Sequence, residues 1–166
     1  MEEQQELLEQ ARRLTSQLEQ VYARFRQRSE DLAEFRREEK KGLAGFLRGI
    51  FPTPQPTEPE HQRFLADVEE IADQLAQALA GLGAGGESAE LARRAVTCIL
   101  APKPLEDKNP EEWFMTAAEG FCLPLLPHLS RGDMETFRAD MIKRVPKRYR
   151  FPRQEEVLRR LDELLA

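Results

Sequence analysis

Glu119 and His128 are the residues whose types could perform acid–base chemistry. Glu119 is the only charged residue in the otherwise apolar stretch 113–127, and His128 follows that stretch directly. Burial raises the pKa of a carboxylic acid, and a nearby imidazole could exchange a proton with it. The competing interpretation is structural, with Glu119 on a solvent-facing strip or paired with Arg93 or Arg94. One acid and one histidine, without a nucleophile or a metal-binding motif, are weak evidence for an active site. We therefore predict that the chain is not an enzyme.

The chain carries two histidines and two cysteines, the side chains that most often bind zinc. His61, Cys98, Cys122 and His128 are widely spaced, and none forms the close pairs by which zinc sites are recognised. The glycine-rich stretch 81–86 follows no predicted strand and lacks the Lys-Ser/Thr pair of a phosphate-binding loop. We therefore predict no metal and no cofactor. Both cysteines lie in apolar runs, so we expect reduced core residues.

A cluster of cations between residues 143 and 153 is the best candidate for a binding surface. Its members are Lys143, Arg144, Lys147, Arg148, Arg150 and Arg153, interleaved with Tyr149 and Phe151. Cations neutralise phosphates and aromatic rings stack on bases, which predicts nucleic-acid binding as an alternative function. The competing interpretation is a loop matched by the acidic middle of the chain. Residues 52–135 carry fifteen acidic and six basic side chains, net −9, whereas residues 136–166 carry five and nine, net +4.

A proline-rich segment divides the elements that must position these residues. A charged, heptad-like run ends at Phe51 and meets three prolines within residues 52–56. We predict a helical arm over residues 1–51, a linker over residues 52–56 and a helical body over residues 57–166.

The arm repeats apolar residues in alternating steps of four and three. The repeat comprises Leu7, Ala11, Leu14, Leu18, Val21, Phe25, Leu32 and Phe35. It predicts a coiled-coil-like helix whose seam packs on a second copy, on a protein partner or on the body, because periodicity alone does not distinguish these. The predicted function is a non-enzymatic scaffold, adaptor or accessory subunit. It would assemble, as a homo-oligomer or with another protein, through Leu7, Leu14, Leu18, Val21 and Phe25.

The body is expected to contain only helices. Start signals lie near Thr57, Ser88, Asn109, Ser130 or Asp133, and Pro152, where caps or prolines precede apolar residues at helical spacing. The stretch from Trp113 to Leu126 is apolar on nearly every side, which predicts the buried core helix. The last helices are expected to turn side chains such as Met141, Ile142 and Val157 inward. The predicted fold is all-α, with a long N-terminal coiled-coil-like helix and a compact bundle of about five short helices.

A second alternative function is peripheral membrane contact. Residues 42–51 are apolar, contain three glycines and follow two lysines. They could touch a lipid surface or cap the core of the body as a hinge, and the second interpretation is favoured because membrane-binding helices are longer and more cationic. No apolar stretch is long enough to cross a bilayer, and the acidic N-terminus is unlike a secretory leader, so we expect a cytoplasmic protein.

Overall fold

A computed structural model describes residues 2–39, 58–102 and 112–166, and these residues form helices without any strand. The elements are α1 (Glu2–Glu39), α2 (Glu58–Leu82), α3 (Gly86–Leu100), α4 (Glu112–Ala117), a 3₁₀ segment (Glu119–His128), α5 (Arg131–Arg144), a 3₁₀ turn (Lys147–Tyr149) and α6 (Pro152–Leu165). The predicted all-α class, with its long first helix and a bundle of shorter ones, is confirmed. The predicted linker 52–56, the segment 42–51 and the start signal at Asn109 lie outside the described residues.

The first two helices pack antiparallel along most of their length. Leu7, near the start of α1, lies against Gly81, near the end of α2, where an added Cβ would stand 2.8 Å from the leucine Cδ1. Further along α1, Phe25 stacks on Phe64 from the start of α2, with ring centroids 4.1 Å apart. The glycine therefore lets the helices approach closely at one end, and the aromatic pair fills the space at the other.

The third helix runs parallel to α1. Arg12 pairs with Glu87, and Arg94 pairs with Glu19, so both ion pairs join residues with the same offset in sequence. Two such pairs one heptad apart fix the direction and the register of α3 on α1. The first helix thus lies in the groove between α2 and α3, which a short glycine-rich turn connects.

The predicted seam of α1 is buried in this groove. Leu14, Leu18 and Val21 belong to one hydrophobic core together with residues of α2, α3 and the 3₁₀ segment, whereas Leu7 and Phe25 are partly buried against it. Of the partners that the periodicity left open, the structure provides the body of the same chain. A fully buried leucine such as Leu18 contributes about 2 kcal/mol through its removal from water.

The apolar stretch after residue 112 does not form the single buried helix that its composition predicts. The helix α4 ends at Ala117, and the chain continues as a 3₁₀ segment that contains Pro124 and Pro127. Proline lacks the N–H that an α-helix needs, so the tighter 3₁₀ conformation takes over. The 3₁₀ segment packs against α2, α3 and α6, but Trp113 is 54 % exposed, so its predicted place in the core is wrong.

The last two long helices begin where their start signals predict. The Ser130 side chain accepts a hydrogen bond from the Asp133 amide at 3.1 Å, and Pro152 is the first residue of α6. Met141 is buried on α5 and Val157 on α6, as predicted. The adjacent Ile142 is 40 % exposed, so its predicted inward position is wrong, because neighbouring residues of a helix point about 100° apart.

Candidate binding surface

Three of the six cations in the predicted cluster reach solvent without a partner of opposite charge. Lys143 ends α5, and Lys147 and Arg148 lie in the following 3₁₀ turn; all three are exposed. Among the residues that the structure describes, the two lysines form no hydrogen bond or ion pair. The Arg148 guanidinium lies over the Tyr149 ring, 4.9 Å from its centroid. These three side chains can turn toward an anionic partner at little cost.

Arg144 is partly exposed, but its guanidinium is bonded to the protein. Its Nη2 donates to the Leu100 carbonyl at 3.0 Å and lies 3.0 Å from Oε1 of Glu119. The other carboxylate oxygen of Glu119 accepts a hydrogen bond from Gln154 Nε2 at 2.7 Å, and the carboxylate is only 3 % exposed. A buried charge whose oxygens both have partners is a structural element that links α5, α6 and the 3₁₀ segment.

The predicted alternatives for Glu119 are corrected by this arrangement. Its burial excludes a solvent-facing strip, and its cation is Arg144 rather than Arg93 or Arg94. His128 is half-buried, and burial lowers its pKa, but it forms no hydrogen bond or ion pair with Glu119. The described residues therefore do not bring the candidate acid and the candidate base together.

The remaining two arginines of the cluster are tied to the backbone. Nε of Arg150 donates to the Val145 carbonyl at 3.0 Å, and Nη1 of Arg153 donates to the Ala117 carbonyl at 3.0 Å. The Arg153 guanidinium also lies over an aromatic ring of the 3₁₀ segment. Both side chains keep their charge, but their hydrogen bonds hold them to the protein surface and fix the loop between α5 and α6.

Three exposed aromatic side chains lie on the loop before α6 or contact it. Trp113, Tyr149 and Phe151 are 54 %, 63 % and 44 % exposed. Trp113 and Phe151 meet edge to face, with ring centroids 5.3 Å apart, so the start of α4 joins the loop before α6. We call the set Trp113, Lys143, Lys147, Arg148, Tyr149 and Phe151 the basic–aromatic surface. With Ile142, its aromatic members are the large apolar side chains that the described part of the chain exposes.

The loop that carries this surface is held in one conformation by local bonds. The Tyr149 amide donates to the Pro146 carbonyl at 2.9 Å, and the Phe151 amide donates to Oε1 of Gln154 at 3.0 Å. Prolines 146 and 152 fix the backbone on both sides of the turn. Because the same glutamine also binds Glu119, the loop is anchored to the buried ion pair.

Sequence reasoning found the cations and two of the aromatic residues, but it missed Trp113. A tryptophan at the start of an apolar stretch has the sequence signature of a core residue. Its exposure depends on where α4 ends and on the contact with Phe151, which are features of the tertiary structure. The seam residues proposed for assembly lie elsewhere, in the core between α1, α2 and α3.

The two cysteines can also be placed. Cys98 is half-buried, Cys122 is buried, and neither forms a disulfide. Burial raises the pKa of Cys98 to about 11 and raises that of Cys122 further. No three His, Cys, Asp or Glu side chains converge as metal ligands within residues 2–39, 58–102 and 112–166. None of the helices over these ranges is long and apolar enough to cross a membrane.

Comparison of the chain with protein-family models, with curated proteins and with solved structures finds no match. The case for a function therefore depends on the surface geometry.

Proposed function

We propose that this chain is a non-enzymatic binding protein and that its basic–aromatic surface binds a single-stranded nucleic acid. One observation carries the proposal: a short loop held by its own hydrogen bonds exposes the rings of Tyr149 and Phe151 together with Lys147 and Arg148, which have no acidic partners among the described residues. The exposed ring of Trp113 contacts this loop through Phe151. Unpaired bases stack on aromatic side chains, and the phosphates between them are neutralised by Lys and Arg. A preformed loop loses little conformational entropy when it binds.

A single strand fits this surface better than a duplex. The faces of the bases are hidden inside a duplex, so the exposed rings of Trp113 and Tyr149 would find nothing to stack on. The basic–aromatic surface, as far as the structure describes it, presents no long cationic helix face to a major groove, because its free cations lie at the end of α5 and in a three-residue turn.

An anionic lipid surface would use some of the same side chains, but the geometry favours it less. Peripheral membrane binding depends on a helix that buries a broad apolar face in the lipid interface. Here the aromatic residues lie at the start of α4 and around a short turn, and each ring is partly covered by the protein. Vesicle binding is therefore an outcome that the test below distinguishes.

The seam of α1, through which we predicted assembly, is buried in the core of the same chain. Leu14, Leu18 and Val21 pack on α2 and α3, so another chain could reach them only if α1 left the groove. Assembly through α1 would then require exchange of this helix between copies. It stays a prediction, which the mass of the protein in solution would test.

The only tryptophan of the chain is Trp113, so its fluorescence reports on the proposed surface directly. Titration with a labelled single strand of about twelve nucleotides should give saturable anisotropy and quench the tryptophan. Tyr149→Ala should weaken binding by about fivefold to a hundredfold, because one stacked base contributes ~1–3 kcal/mol. Tyr149→Phe keeps the ring and should bind normally.

Two controls make the outcome decisive. Arg13→Gln removes an exposed cation of α1, far from the surface in sequence, and should leave the affinity unchanged. A duplex of the same length should bind more weakly than the single strand. Absence of oligonucleotide binding at low salt would remove the proposal, and binding to anionic vesicles alone would assign the surface to lipid.

A further inference from the structure

The short helix α4 depends on contacts with the rest of the chain for its position. It spans only six residues, Glu112–Ala117, and isolated helices that short are unstable in water. Met115 anchors it in the core with 3 % of its surface exposed, and the Phe114 ring stacks on His61 with centroids 3.7 Å apart. Trp113 is 54 % exposed, so the burial of its neighbours does not by itself fix its ring.

Arg153 binds the other end of α4. It lies in the first turn of α6, and its Nη1 donates to the carbonyl of Ala117, the last residue of α4, at 3.0 Å. The last carbonyls of an α-helix have no partner within the helix, and an arginine there supplies both a donor and a favourable charge. This hydrogen bond therefore joins the start of α6 to the end of α4.

The Arg153 side chain is packed against the start of the 3₁₀ segment. At Gly120 an added Cβ would stand 3.1 Å from Cδ of Arg153, so the stem of the arginine crosses the backbone where glycine leaves room for it. The guanidinium carbon lies 5.6 Å from the centroid of the Phe121 ring. These contacts hold the arginine in the orientation that its hydrogen bond to α4 requires.

The first turn of α6 thus holds both parts of the basic–aromatic surface. Gln154 holds the loop, because its side chain accepts the hydrogen bond of the Phe151 amide. Arg153, the residue before it, holds α4 through the last carbonyl of that helix. The loop and α4 meet at the edge-to-face contact of Trp113 and Phe151.

We infer that Arg153 is a positioning residue of the basic–aromatic surface, which holds the ring of Trp113 beside the loop and does not itself contact the nucleic acid. Its effect on binding rests on the proposed function, whereas its effect on Trp113 is a property of the free protein. A positioning cation also differs from one that neutralises a phosphate, because only the second releases counterions when the strand binds.

The first test needs no nucleic acid, because Trp113 is the only tryptophan. In Arg153→Gln the tryptophan should become more accessible to acrylamide, and the anisotropy of its emission should fall, because α4 has lost a contact. The accessibility should stay below that of the urea-unfolded chain, since Met115 still anchors the helix. The matched control is Arg150→Gln, which removes the same charge from a side chain bonded to the Val145 carbonyl and should leave both readings unchanged.

The second test measures binding of the labelled single strand. Arg153→Gln should weaken binding about twofold to tenfold, the equivalent of one hydrogen bond, and should leave the salt dependence unchanged. When Trp113→Ala is already present, Arg153→Gln should have no further effect, because no ring is left to position. The two substitutions should therefore be non-additive in a double-mutant cycle.

The outcomes separate this inference from the proposed function. If the unaltered chain binds no oligonucleotide, the proposed function fails, and the fluorescence test still decides whether Arg153 positions Trp113. Unchanged tryptophan accessibility in Arg153→Gln would overturn the inference, whatever the affinity. An equal loss of affinity with and without Trp113 would also overturn it, since Arg153 would then act on the nucleic acid independently of the ring.

Discussion

Added salt should weaken oligonucleotide binding, and the loss of affinity should depend on how many cations contact a phosphate. For single strands, the logarithm of the affinity falls against the logarithm of the salt concentration with a slope of about −0.7 per neutralised phosphate. The structure leaves Lys143, Lys147 and Arg148 free, so the predicted slope is about −2. Between about 50 and 200 mM salt the affinity should fall about twentyfold.

The sequence alone predicts a steeper dependence. If all six cations of the cluster met phosphates, the slope would be about −4 and the affinity would fall about 300-fold over the same range. The structure favours the smaller value because Glu119 neutralises Arg144, and because Arg150 and Arg153 donate to backbone carbonyls. The two interpretations differ by more than tenfold, which anisotropy titrations at about five salt concentrations resolve.

A matched pair of variants sharpens the measurement. Lys147→Gln should reduce the slope by about one phosphate contact, whereas Arg153→Gln should leave it unchanged. Trp113→Ala should lower the affinity equally at every salt concentration, because stacking releases no counterions. A slope near −4, or an equal change of slope in the two charge variants, would refute the division of the cluster into free and engaged cations.

Further predictions concern stability and can be checked by urea or pH titration. Leu18→Ala should lower the free energy of unfolding by about 2–5 kcal/mol, because Leu18 is fully buried in the groove; a loss near zero would mean that α1 does not pack there. Tyr22→Phe should leave the unfolding free energy unchanged or raise it by about 1 kcal/mol, since it removes an unpaired buried hydroxyl; a clear loss would indicate a bonded hydroxyl. Glu119→Gln should lower the free energy of unfolding by about 1–3 kcal/mol at neutral pH, because the buried carboxylate binds both Gln154 and Arg144, and full stability would contradict these contacts. The pKa of Cys98 is raised to about 11, so this thiol contributes stability below its unfolded pKa and loses it as the pH rises toward 11; Cys98→Ala should flatten that alkaline decline, and an unchanged decline would place its cause elsewhere.

Local start signals could be read from the sequence because the groups that make them are neighbours along the chain. The hydroxyl of Ser130 caps an amide three residues later, and Pro152 needs no hydrogen bond at the start of a helix. Such features do not depend on the rest of the fold. For the same reason the all-α class was predictable from helical spacing and from the absence of alternating strands.

The partner of the α1 seam could not be predicted. Periodicity requires that Leu14, Leu18 and Val21 be covered, but α2, α3 or a second chain would cover them equally well. What decides the matter lies far away in sequence: the close approach at Gly81 and the two ion pairs from α1 to α3. Neither the close approach nor the ion pairs can be recognised in the sequence before the positions of the helices are known.

The partner of Glu119 was hidden for a related reason. The carboxylate forms an ion pair with Arg144 and accepts a hydrogen bond from Gln154, and these two residues belong to different helices. The sequence suggested Arg93 or Arg94 on α3 instead, although Arg94 and Arg144 are equally far from Glu119 in the chain. An apolar stretch indicates burial of its single acid, but it cannot tell which cation the fold will bring to it.

The two interpretations of the basic cluster apply to different residues within it. The interpretation of a basic end folded against the acidic middle of the chain applies to Arg144, because its charge is paired with that of Glu119. A binding surface describes Lys147 and Arg148, which keep their charges in solvent. The engaged cation still matters for binding, because the carboxylate that it neutralises also binds Gln154, and this glutamine holds the loop before α6. Formal charge therefore overstates the number of cations available to a partner, while the buried carboxylate of Glu119 helps to hold the loop that carries the exposed rings of Tyr149 and Phe151.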